Sequence, residues 1–144
     1  PDATTLKIRE YAGSLLSQRA KKLRKLGRKA GDMADHELHE VRIAAKKLRY
    51  AVEFFQPLYP KKAVKAYTGH LKALQDTLGS LNDAVVGYRL VDDLEHDKET
   101  GRTLAPFTAG MVVGWYTARI DRDLALFKDR WKDFQKRDAF WKDG

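Results

Sequence analysis

The stretch HEVRIAAKKLRYAVEFF, residues 39–55, decides how this chain is read. Wound at about 100° per residue, it separates into two faces. Val41, Ala44, Ala45, Leu48, Ala51, Val52 and Phe55 form one, the core side of an amphipathic helix. His39, Arg42, Lys46, Arg49 and Glu53 form the other, at spacings of 3, 4, 3 and 4, with Tyr50 beside them. Side chains at those spacings stack over one another. Three cations in one column repel, and a solvated helix more cheaply alternates its signs. The column therefore either faces water harmlessly or faces an anion.

Upstream, residues 4–30 read as a first helix. Leu6, Ile8, Tyr11, Ala12, Leu15, Leu16, Leu23 and Leu26 recur at helical spacing, with Thr4 or Thr5 as cap. Seven of the eleven residues from Arg19 to Lys29 are basic, and most of that run reads as a solvated face. Arg19 and Lys22 stand apart from it. Arg19 lies one turn from both Leu15 and Leu23, and Lys22 one turn before Leu26. A long cation in an apolar stripe either snorkels to its edge or points at an internal polar site. Gly31-Asp32 is a break, Asp35 caps a second helix over 35–56, and Pro57 and Pro60 stop it.

Downstream, a third helix spans 61–96 with Val64, Tyr67, Leu71, Leu74, Leu78 and Leu81 as its core stripe. On its opposite side Lys61, Lys65, Lys72, Gln75, Asn82 and Asp83 form a second column. Gly79 stands in that column, marking either a kink or a close approach by a helix or ligand. A polar loop through Gly101 leads to Thr103, the expected cap of a fourth helix over 103–136, with Pro106 in its first turn. That helix carries Phe107, Met111, Trp115, Ala118, Leu124, Phe127, Trp131 and Phe134, and its Gly110-x-x-x-Gly114 step reads as close helix packing. The aromatic ending DAFWKDG is expected to fold back and close one end. No stretch reads as a strand. The expectation is an all-α single domain over 1–144, an antiparallel four-helix bundle with long helices.

The formal charge is +8, and it is uneven. Residues 1–72 hold 17 Lys/Arg against 7 Asp/Glu, whereas residues 73–144 hold 11 against 13. A basic half of this kind points to a polyanion: nucleic acid, an anionic membrane or inorganic polyphosphate. There is no cysteine, which removes disulfides, thiolate metal sites and cysteine nucleophiles and fits a reducing, cytoplasmic compartment. No apolar run is long enough to cross a bilayer. The chain opens Pro1-Asp2 without methionine, as expected of a fragment or processed form.

Enzyme chemistry finds little support. His36, His39, His70 and His96 form no metal spacing, and Arg42 would stand beside any cation held by His36 and His39. There is no glycine-rich phosphate loop, no nucleophile motif and no acid cluster suited to magnesium. Asp92, Asp93, Glu95, Asp97 and Glu99 do cluster, but at a helix end, and read as a solvated acidic turn. What remains is a basic constellation: Arg19 and Lys22 from the first helix, His39, Arg42, Lys46 and Arg49 from the second, Lys65 and Lys72 from the third. Arginine forks fit phosphate oxygens and lysines add mobile charges. Tyr50 and Gln75 add neutral donors. Aromatic rings are not interleaved among these cations as on a base-stacking platform, which favours a bare phosphate chain.

The sequence resembles the CHAD domain, the conserved histidine α-helical domain. One block places His39, Arg42, Lys46, Lys47, Leu48, Arg49, Tyr50 and Glu53 at the family's H-x-x-R-x-x-x-K/R-K/R-L-R-Y-x-x-E positions. A second, LKALQDTLGSLNDAVV, matches L-Q-x-x-L-G-x-L-N-D at Leu74, Gln75, Leu78, Gly79, Leu81, Asn82 and Asp83, and Phe140-Trp141 is similar to the family's ending. The likeness is to the C-terminal half. It implies binding of inorganic polyphosphate, association with polyphosphate granules, no catalysis and no cofactor, with Lys47 joining the candidate contacts. Complete members pair two similar bundles about a pseudo-twofold axis. This chain is therefore expected either to homo-oligomerise or to pair with a missing N-terminal half. Two alternatives stay open: a nucleic-acid- or RNA-binding helical module, and an accessory domain regulating a fused triphosphatase.

Overall fold

The computed structural model describes residues 2–29, 35–95 and 105–142, without the side chains of Asp35 and His36. Four helices carry them: α1 (Ala3–Gly27), α2 (Asp35–Phe55), α3 (Lys61–Glu95) and α4 (Pro106–Gln135). Short 3-10 turns follow at Gln56–Leu58 and Phe140–Lys142. Among the described residues there is no strand, and no helix is long and apolar enough to cross a membrane. The protein is all-α.

The helix ends differ in part from expectation. Asp2 caps α1: its carboxylate accepts the Thr5 backbone N–H at 2.7 Å, so Thr4 and Thr5 lie inside the helix. Those hydrogen bonds hold the Asp2 carboxyl below its ordinary range. The chain leaves α1 at Arg28, whose N–H donates to the Arg24 carbonyl. α4 starts at Pro106 with Ala105 as a cap that offers no side-chain hydrogen bond. Thr103 and Ala30, expected at helix ends, lie outside the described residues, as do Asp97 and Glu99. α3 runs through Gly79 without a break.

At the base all four helices share one core. The seven apolar positions of α2 are buried, and Leu16, Leu23, Leu71, Leu74, Leu78 and Phe127 meet them at 2% exposure or less. The chain's last turn closes this end. The Trp141 indole N–H donates to Ser17 Oγ at 2.9 Å, and the Tyr67 ring packs against Phe134, Phe140 and Trp141 with centroids 5.2–5.5 Å away. Burial pushes the Tyr67 phenol up, with Arg24 pulling weakly the other way. Tyr59 is raised for the same reason, against the Arg9 guanidinium 5.5 Å over its ring. α1 approaches α4 so closely that a Cβ on Gly27 would sit 2.1 Å from the Trp131 ring.

α3 and α4 adhere by a different device. Small residues on α3 admit long polar side chains from α4. Arg130 donates to the Ala73 carbonyl at 2.9 Å and to the Thr77 hydroxyl. Ser80 Oγ donates to the buried Asp123 carboxylate at 2.7 Å, and Arg119 donates to Ser80 Oγ. A Cβ on Gly87 would meet the Tyr116 ring at 2.5 Å. Contact positions rise along α3 as they fall along α4, so these two helices run in opposite directions. The shared core ends at Leu78 on α3 and Phe127 on α4. Beyond it the α3–α4 pair projects as a hairpin that buries Leu81, Ala84, Val91 and Ala109 but exposes Leu90, Leu94, Phe107, Met111 and Trp115. Gly110 and Gly114 have nothing within 4 Å of a built Cβ, so among the described residues this step is no packing seam.

Candidate polyanion-binding groove

The cation column of α2 stands beside α3 because the α2 core face fixes its rotation. With Val41, Leu48 and Phe55 turned inward, Arg42 and Arg49 emerge on the edge next to α3. Arg49 spans the gap. Its Nη1 donates to Gln75 Oε1 on α3 at 3.3 Å, and its Nε donates to Glu53 Oε1 at 2.9 Å. The column is thus not wholly unpaired, since Glu53 holds one of its cations in an ion pair. The Arg49 guanidinium is held in place before any ligand arrives, which lowers the entropy lost on binding.

From Gln75 the α3 side of the groove runs through Lys72, Thr68, Lys65 and Lys61, at spacings of 3, 4, 3 and 4. Just past the end of α2, Lys61, Lys65, Lys72, Thr68 and Gly69 line a cavity of about 770 Å³ with Gln56, Pro57, Tyr59 and Val64. Gly69 and Gly79 would meet nothing within 4 Å if given a Cβ, so both spots stay open. Lys61, Thr68 and Gly69 were not among the expected contacts. Lys61 and Thr68 complete the periodic run of Lys65, Lys72 and Gln75, and that spacing was the available signal.

The eleven expected contacts do not share one surface. Arg42, Arg49, Lys65, Lys72 and Gln75 line the α2/α3 groove, while His39, Lys46 and Tyr50 occupy the outward crest of α2 by helical phase. Lys47 falls on the other edge of α2, which faces α1, as the Tyr11–Phe55 ring contact at 6.2 Å shows. Arg19 and Lys22 lie on the α1 edge that carries Tyr11 and Leu15, beside the same α1/α2 boundary. Arg19 is half-buried there and Lys22 exposed. Among the described residues no group of three or more His, Cys, Asp or Glu is placed to hold a metal ion.

The sequence model of the CHAD domain matches residues 1–92, which take in α1, α2, nearly all of α3, and both walls of the groove. No curated protein and no solved structure matches the chain. With well over half its length matched, the chain belongs to the CHAD domain family.

Proposed function

We propose that this chain is a non-catalytic module that binds inorganic polyphosphate along the α2/α3 groove. The observation that carries the reading is the Arg49–Gln75 hydrogen bond. It sets the arginines of α2 beside the lysine row of α3 and leaves the space between them open. Family membership supports it, because CHAD domains are associated with polyphosphate binding and triphosphatase-related function. A phosphate chain carries charge on every unit and has no planar base, so it needs forks and mobile ammonium groups rather than a stacking platform. Arg42 and Arg49 supply the forks, Lys61, Lys65 and Lys72 the mobile charge, and the Gln75 side-chain N–H a neutral donor while its oxygen still accepts from Arg49. In this reading the module works at polyphosphate granules, with a second helical bundle beside it, either another copy or an N-terminal half.

The test is a titration of polyphosphate against single- and double-stranded nucleic acid, matched in charge and salt. Polyphosphate is expected to bind most tightly. Nucleic-acid affinity equal to it would overturn the reading in favour of a general polyanion or RNA-binding helical module.

A further inference from the structure

Two separate surfaces of this chain are apolar, exposed and oppositely charged. The first is the outer edge of the α1/α2 pair. Tyr11 and Phe54 stand there, Phe54 at 77% exposure, together with Ile43, Arg19, Lys22 and Lys47. Glu40 lies at its far end. The second is the outer side of α3 in the projecting hairpin. Asp83, Val86, Leu90, Asp93 and Leu94 share one side of the helix, with Leu90 at 59% exposure. In residues 83–95 the acids Asp83, Asp92, Asp93 and Glu95 outnumber the single cation Arg89.

Scattered apolar side chains need no explanation, but contiguous ones rimmed by charge mark contact surfaces. Neither surface suits a copy of itself. The basic edge against its own copy would bring Arg19, Lys22 and Lys47 together, and the hairpin against its own copy would oppose Asp83 and Asp93. Facing like charges repel and select against such pairings. The two unlike surfaces satisfy each other in both apolar area and sign. We propose that the basic apolar edge of α1/α2 on one copy of this chain receives the acidic apolar side of the α3 hairpin on a second copy. A reciprocal pair closes as a twofold dimer, and a single contact per pair extends head to tail. The proposal does not rest on the polyphosphate reading, since Tyr11, Phe54, Leu90 and Leu94 lie outside the groove.

Sedimentation velocity over a concentration series, without polyphosphate, tests it with two variants. Tyr11→Ser with Phe54→Ser breaks the basic edge, and Leu90→Ser with Leu94→Ser breaks the hairpin side. All four side chains are exposed, and circular dichroism confirms that both variants stay helical. Each variant alone is expected to lose at least about tenfold in self-association, the loss typical of a removed anchor. Mixed in equal amounts they are expected to pair again, because each keeps the surface the other lacks. Asp93→Lys is expected to weaken association by itself, and less so at high salt. A wild-type chain that stays monomeric throughout, or a mixture that fails to recover pairing, overturns the proposal.

Discussion

The base of the molecule and its projecting hairpin share α3 and α4 yet are held together differently. At the base, large side chains from all four helices fill one core around Leu48, Leu71, Leu74 and Phe127. In the hairpin the contacts described are those between α3 and α4. Small residues on α3, Ser80 and Gly87, take up Asp123 and Tyr116 from α4. A two-helix layer cannot bury two full apolar faces, so Leu90, Phe107, Met111 and Trp115 stay outside. Apolar burial therefore sets the stability of the base, whereas polar pairing and close backbone approach set that of the hairpin.

The sharpest way to break this contrast is a pair of truncations. Leu48→Ala removes a side chain with 0% exposure and is expected to cost about 2–5 kcal/mol in denaturant unfolding. Leu90→Ala in the hairpin, measured at dilution where the chain is unassociated, is expected to change stability by no more than about 0.5 kcal/mol, as exposed positions do. Similar losses from both would mean the hairpin is buried in solution or the face of α2 is rotated.

Glycines give the next effect. Gly27→Ala drives a methyl into the Trp131 ring and is expected to cost about 1–3 kcal/mol, as overpacking does. Gly87→Ala meets the outer end of the Tyr116 ring, which can swing aside, and should cost less. Gly79→Ala meets open space in mid-helix and is expected to stabilise by up to about 1 kcal/mol. A destabilised Gly79→Ala chain would show that something covers the groove.

The smallest effect appears only in alkali. Tyr59 and Tyr67 have phenols raised above the ordinary value of 10.0 by burial. A raised folded pKa means that the unfolded chain loses its phenol proton first. Their contribution to stability is whole below pH 10 and is lost as pH climbs towards the folded values. An ultraviolet phenolate titration should show late ionisation that accompanies unfolding, and Tyr67→Phe should reduce that late signal. Tyr67 ionising near pH 10 in a chain that stays folded would contradict its burial.

The sequence was most legible where one period and one core face coincide. In α2 the spacing of Val41, Ala44, Ala45, Leu48, Ala51, Val52 and Phe55 marks its buried side, because side-chain direction on a helix repeats with the helical period. The same logic misled at Leu6, Ile8 and Tyr11, which follow the stripe of α1 yet stand exposed. Periodicity tells which side of a helix is apolar, not whether this chain covers it. Gly110 and Gly114 carry the local pattern of a packing seam but face outward, while the true close approaches are at Gly27 and Gly87, to partners far along the chain. The candidate groove was legible as two columns, on α2 and α3, but their adjacency rests on Arg49 and Gln75, 26 residues apart. Nor could spacing within single helices show that Arg19, Lys22 and Lys47 lie on the far side of α2.

The central claim is that position, not net charge, lets the α2 column bind polyphosphate. Polyphosphate affinity measured across a salt series tests it with two triple variants. Arg42→Ala, Lys46→Ala and Arg49→Ala remove three cations from α2, whereas Lys128→Ala, Lys132→Ala and Lys136→Ala remove three exposed ones at the C-terminal end of α4. Polyanion binding releases counterions, with a log–log salt slope of about −0.9 per contact on duplex DNA and a different coefficient for a flexible chain. The α2 variant is expected to lose far more affinity and to show a flatter salt slope, with both variants still helical. Equal losses from the two would show that net charge drives binding, and would leave the α2 column an ordinary solvated face.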